Sequence, residues 1–200
     1  MTIRELKNKS ETFNNLFHVI PQQDWTVIHN RVFNHDGCIV DVGCLEWGWL
    51  PTFKHKKRFI GIDPFENPID GAELFKGCLG PFNGKVFIKY DGQGSNVLNN
   101  DTDINTSQVD MMSFKSFVNR FNIDEISLLK INIEGSEYPL LHSLDSEDFK
   151  KIDQICISFH TFVNPNWKFL TESSLHLLNN MGYEIIETFD RWGWYLAIKK

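Results

Sequence analysis

One apolar run, ISLLKINI at 126–133, delivers an amide and two carboxylates at its end: Asn132, Glu134 and, past a glycine, Glu137. A carboxylate there can accept a proton from a hydroxyl, and a neighbouring amide can orient the group that loses it. Four further runs end in the same manner. CIVDVG (38–43) carries Asp41 and Gly43, RFIGIDPF (58–65) carries Asp63, KVFIKYDGQG (85–94) carries Asp91, and IDQICISFH (152–160) ends at His160. Any one of these residues serves equally well as a helix cap or turn residue. Five polar or ionisable run ends in one chain are more than packing needs. His160, whose ordinary pKa lies near neutrality, is the first candidate general base, and Glu134 is the other.

The runs read as strands, because each is short, rich in β-branched residues and stopped by glycine or proline. Helical spacing of apolar residues connects them. It is found over SFKSFVNRFN (113–122), over SEYPLLHSL (136–144) with Pro139 in its first turn, and over NWKFLTESSLHLLNNMG (166–182), where Gly182 is the stop. Residues 1–33 carry apolar side chains at three- and four-residue spacing and predict one or two helices, an N-terminal helical extension over 1–35 before the main domain at 36–200. The stretch 96–112 reads as a hairpin tip or loop. Its DTDIN begins like a calcium loop but lacks the glycine and glutamate that such a loop requires. At the end of the chain, YEIIETF and WYLAIKK are separated by only DRWG, too short a link for a parallel crossover, so they form an antiparallel hairpin.

Strands alternating with helices, several of them apolar throughout, predict an α/β fold. The expected sheet is mostly parallel and seven-stranded, with helices on both faces and the C-terminal hairpin at one edge. That is the outline of a class I, Rossmann-like methyltransferase. Two hundred residues fit one compact domain. The net charge of −6 argues against a nucleic-acid partner, and the short basic cluster KHKKR at 54–58 reads as a solvated loop. No segment has the length or apolarity of a membrane span or signal peptide. Four cysteines without a C-x-x-C pair fit a reducing, cytoplasmic setting.

In open α/β sheets ligands bind beyond the carboxyl ends of the strands. For S-adenosylmethionine each strand end has a physical rationale. Gly43 lets the backbone approach the ligand. Asp41 accepts from the methionyl ammonium or orients the loop. Asp63 lies about twenty residues further on, where an acidic residue meets ribose hydroxyls in nucleotide-binding folds. Asp91 takes the adenine amine or serves as a turn residue. Cys44 and Pro64 flank these positions, Glu46 either contacts the donor or faces solvent, and Asn132 joins the donor set from the central strand.

VDMMSFKSFVNRFNIDEISLLKINIEGSEYPLL (109–141) resembles the signature of FkbM-type methyltransferases, and CIVDVG, FIGIDPF and ISFHTF resemble other segments of that family. The resemblance spans roughly 36–162. It implies S-adenosylmethionine as donor and methylation of oxygen, often on sugars of glycans or glycosylated metabolites. Two departures stand out. In DVGCLEWGWLP, Trp47 is bulky and Gly48 comes one position late, and the family's lysine-isoleucine-aspartate is Lys130-Ile131-Asn132. Some sugar methyltransferases hold a divalent ion in this region; Asn132 is a weaker ligand than aspartate, and no metal ligand is assigned.

The acceptor side is assigned to Glu137, Asn164 and Trp167, with FVNPNW (162–167) as one wall of a pocket. Tryptophans 47, 49, 167, 192 and 194 fall near predicted loop ends, where aromatic faces can pack on sugar rings. The leading expectation is an S-adenosylmethionine-dependent O-methyltransferase acting on a sugar or glycan. The alternatives are a donor-binding protein without turnover and, since GCLEWG is not a full G-x-G-x-x-G turn, less readily a nicotinamide-dependent oxidoreductase.

Overall fold

A computed structural model describes residues 13, 15–21, 23–89, 96–98, 106–189 and 192–200. Of residues 1–33, expected as one or two helices, Phe13, Asn15 and Leu16 are helical and Asn30–Phe33 form a 3-10 turn, but the described residues between form a β-hairpin, β1 (Phe17–Ile20) against β2 (Gln23–His29). The β-branched residues Val19, Ile20, Thr26, Val27 and Ile28, divided by Pro21 at the turn, outweigh the helical spacing. The hairpin packs on the main sheet. Phe17, Ile20, Val27 and Ile28 share a core with sheet residues Ile39, Leu128, Cys156 and Leu196. His29 donates its N–H to the Gln154 side chain, which returns a bond to the His29 carbonyl. Arg31 chelates Asp153 at 2.9 and 2.7 Å.

The main sheet is built from β3 (Cys38–Val42), β4 (Phe59–Ile62), β5 (Glu73–Phe75), β10 (Ile126–Ile131), β11 (Gln154–Ser158), β12 (Tyr183–Phe189) and β13 (Trp194–Lys199). Among the described residues its order is β12-β13-β11-β10-β3-β4-β5, and β3, β4, β5, β10 and β11 run parallel. β12 and β13 form the antiparallel edge hairpin. Every residue of β3, β10 and β11 is buried, as strands covered on both faces require. Ser127 makes an irregularity in the β10–β3 register, and its hydroxyl donates to the Gly37 carbonyl at 2.6 Å.

One face is covered by α2 (Phe114–Arg120), α3 (Glu137–Ser143), α4 (Ser146–Lys150) and α5 (Lys168–Asn180). These helices contribute Phe117, Leu140, Leu141, Phe149 and Leu178 to the larger core. The other face carries the hairpin and the short α1 (Leu50–Phe53), so helices on both faces describes it only partly. α2 starts at Ser113, whose side chain accepts from Ser116 N, and Gly182 follows α5 at φ +89°.

In KVFIKY the described residues, 85–89, do not join the main sheet. β7 (Gly84–Lys89) pairs with β8 (Asn96–Leu98) and β9 (Thr106–Ser113) in a second sheet of order β6-β9-β7-β8, where β6 is Cys78–Gly80. In β7 only Val86 and Ile88 are buried, and that one-sided pattern suits a sheet with a solvated face. The short β5 takes the edge position in its place. Of 96–112, expected as a hairpin tip or loop, residues 96–98 and 106–112 are strand, while the DTDIN segment and Asp91 lie outside the described residues. Among the described residues no helix is long and apolar enough to cross a membrane.

Candidate active site

The loop after β3 and the loop after β10 touch through backbone. Gly43 has φ +78°, and a Cβ placed on it would lie 2.1 Å from the Asn132 carbonyl. Its N–H donates to Ile62 O at 2.8 Å, and Asn132 N–H donates to Val42 O at 3.1 Å. Only glycine fits this conformation at this distance.

The departure at Trp47 is resolved by its neighbour on the next strand. Glu46 and Trp47 both adopt left-handed backbone, at φ 57° and 52°. The Trp47 ring is buried, donates Nε1–H to Asn67 O at 3.1 Å, and lies over Gly61. A Cβ at Gly61 would come within 2.5 Å of that ring. Indole burial and the hydrogen bond offset the backbone cost, which is of order 1–3 kcal/mol per strained residue. Glu66, which sequence reasoning did not single out, accepts from Glu46 N at 2.6 Å and fixes the same turn.

Asp41 and Lys130 are direct register partners on β3 and β10, and both are buried. Lys130 Nζ lies 2.7 Å from Asp41 Oδ1 and donates to Gly43 O at 2.6 Å. Burial raises the Asp41 pKa, and Lys130 opposes that shift. Asp41 Oδ2 is buried with no protein hydrogen-bond partner among the described residues. In the sequence Lys130 stands out only as the first residue of Lys130-Ile131-Asn132, with no role assigned to it. At Asp63, burial raises the carboxyl pKa while the N–H groups of Phe65 and Glu66, bonded to Oδ1 at 2.8 and 3.2 Å, pull it down.

On the other side of the β10 tip, His160 sits between two carboxylates. Its Nε2 is 3.1 Å from Glu134 Oε1 and its Nδ1 is 2.7 Å from Glu137 Oε1. Fully buried Glu137 also accepts from Ile133 N and Gly135 N, both at 2.8 Å, and so ties down the turn that presents Glu134. Burial alone would lower the His160 pKa; the bonds to Glu134 and Glu137 outweigh it and raise it to about 9. Glu134 itself has φ 54°, beside Gly135 at φ 99° under the Trp167 ring.

These groups surround one cavity of about 1010 Å³ at the carboxyl ends of β3, β4, β10 and β11. Asp41, Gly43, Glu46, Asp63 and Pro64 line one side, and Asn132, Glu134 and His160 line the other. Ile88 and Val97 of the second sheet, with Trp49, Trp192 and Trp194, supply apolar wall. Four assigned residues stand elsewhere. Cys44 and Glu137 are buried behind the lining. Trp167 roofs Gly135 and Tyr138, and Asn164 accepts from Asn166 N in a 3-10 turn at Pro165–Trp167. Both fall outside the lining because the chain turns away from the cavity after Phe162. Among the described residues no cluster of three or more His, Cys, Asp or Glu side chains is arranged to hold a metal ion.

The chain is also similar to known proteins. The methyltransferase FkbM domain family matches residues 71–185. The crystal structure of methyltransferase FkbM from Methylobacillus flagellatus KT, at 2.20 Å resolution, aligns with a TM-score of 0.51 and 16% identity, over 96% of this chain and 51% of that one. This chain thus spans about half the length of that structure, and at such identity the likeness is one of fold. No curated protein matches. Since the family match covers more than half of its residues, the chain belongs to the FkbM methyltransferase family.

Proposed function

We propose that the chain is an S-adenosylmethionine-dependent O-methyltransferase acting on a sugar hydroxyl, in a glycan or glycoconjugate. The observation that carries this reading is the convergence of four parallel strand ends on one carboxylate-lined cavity. The sheet order, with its antiparallel edge hairpin, supports a class I, Rossmann-like arrangement. The residues suit a cationic donor. Asp41 offers a buried, unpartnered oxygen to an ammonium, and Gly43 leaves room for close backbone approach. Asp63, anchored through Oδ1, can direct its other oxygen at ribose hydroxyls. When bound, the donor supplies a methyl group activated on a sulfonium.

The chain must orient the acceptor oxygen, exclude water and take the hydroxyl proton. Orientation is the larger part, with roughly 7–11 kcal/mol obtainable from alignment. A histidine with a pKa of about 9 is protonated at neutral pH, so the base role passes to Glu134. His160 then acts as a fixed cation that holds the Glu134 carboxylate over the cavity, and the Asn132 amide orients the acceptor hydroxyl. Aromatic wall from Trp49, Trp192 and Trp194 supports a sugar ring as acceptor. The four cysteines, all free thiols, support a reducing, cytoplasmic setting. No role is assigned to a metal ion.

The test is calorimetry with S-adenosylmethionine followed by transfer of a labelled methyl group to a saccharide panel. Donor binding with transfer supports the proposal. Donor binding with no transfer to any acceptor favours the binding-only alternative, and retention of NAD in place of S-adenosylmethionine overturns both.

A further inference from the structure

Beside the main cavity lies a shallower groove of about 310 Å³, lined by Phe162, Lys168, Glu172, Leu175 and Tyr195 among others. Phe162 is a wall of both. Its ring centroid is 5.1 Å from that of His160 and 5.2 Å from that of Trp192. Phe162 therefore stands at the boundary between the reactive end of the cavity and the groove.

The rim is unusual for a water-facing surface. Phe162, a wall of both, is 44% exposed, and Trp192, a wall of the main cavity, is 37% exposed. Apolar side chains gathered at the mouth of a site mark a binding surface. Lys168 and Glu172, one helical turn apart on α5, bring both charge signs into the groove beside the aromatic rings of Phe162 and Tyr195. An apolar chain there would strand the two charged groups away from water. An anionic group would face Glu172. A ring with apolar C–H faces and hydroxyl edges meets both demands, since the aromatics take the faces and the charged groups exchange hydrogen bonds with the hydroxyls. The groove is also held rigidly. Gly193 lines it at φ +59°, where a Cβ would fall 2.2 Å from Phe159 O, and Phe159 N–H donates to Gly193 O at 2.8 Å.

We propose that this groove is a second saccharide subsite, so that the acceptor is an oligosaccharide whose neighbouring sugar unit lies across Phe162 against Lys168 and Glu172. The inference rests on the sugar O-methyltransferase reading and extends it to acceptor length.

The experiment measures transfer from tritiated S-adenosylmethionine to mono-, di- and trisaccharides of common hexoses and 6-deoxyhexoses. It uses the wild-type chain and a Lys168→Ala/Glu172→Ala variant whose fold is checked by thermal melting. The expected result is a disaccharide kcat/KM roughly tenfold above that of the matching monosaccharide, with a ratio falling close to one in the variant. A wild-type ratio near one, or a ratio unchanged in the variant, overturns the subsite and leaves the sugar reading standing. Transfer to no saccharide at all overturns the sugar reading and the subsite with it. The wild-type ratio alone decides the matter if the variant does not fold.

Discussion

The two sides of the β10 tip hold their residues by different means. Toward β3 the positions are fixed by steric fit: Gly43 against Asn132 O, and Trp47 against Gly61. Of the two buried carboxylates there, Asp63 is held by backbone N–H groups and Asp41 by a single lysine partner, Lys130. Toward β11 the positions are fixed by charge, with two carboxylates sharing one imidazole. A fit of shapes does not titrate, whereas an imidazole between carboxylates does. The two sides should therefore respond differently to mutation and to pH.

The largest effect is expected from Lys130→Met, which leaves buried Asp41 without its partner. Breaking such a pair costs about 3–5 kcal/mol, read as a lowered denaturant midpoint at neutral pH. Adding Asp41→Asn should recover part of that loss. If the double variant is no more stable than the single one, the pair is not the cause.

Next comes pH. His160 binds its proton with a pKa of about 9 in the folded chain against an ordinary 6.5. Between these values the folded state holds more protons than the unfolded one, so stability falls as pH rises. The contribution is complete below pH 6.5 and lost as pH climbs through about 9, on the order of 3 kcal/mol in all. Urea midpoints across that window should show the decline, and Glu137→Gln should flatten it. A flat wild-type profile would mean that the imidazole is neutral.

Gly61→Ala should cost roughly 1–3 kcal/mol by overpacking against the Trp47 ring. In a Trp47→Gly background the same substitution should cost little, a coupling measurable by a double-mutant cycle. Additive losses would show that the two residues do not share the space assigned to them. The smallest effect belongs to Asn164→Ala. It removes a cap worth about 1 kcal/mol and should leave donor affinity and turnover unchanged, because Asn164 lies outside the cavity. A fall in turnover would restore it to the acceptor wall.

Much of the main sheet was legible because burial on both faces leaves a simple mark. CIVDV, ISLLKI and QICIS are almost free of charge, and the cavity residues stand where such runs stop. Asp63 and Glu134 were found that way. The N-terminal hairpin was not, because its apolar spacing satisfies a helix as readily as a strand and only Pro21 and the β-branched residues decide. β7 was assigned to the wrong sheet because a strand's identity is local and its partner is not. Lys130 and Glu66 were missed because their work is done by contacts across the fold. The loop that carries Asn164 and Trp167 leaves β11 near the site, but its direction is set by packing against α3, which no short segment encodes.

The pairing of Trp47 with Gly61 bears on how such sites are recognised in distant sequences. The small residue that the turn after β3 lacks is supplied by β4, fourteen positions further along the chain. What the packing needs at this point is space for a ring, a vacancy that here lies on β4 at Gly61 and not in the turn. A search for a fixed spacing of small residues will pass over proteins in which the vacancy has migrated across the sheet.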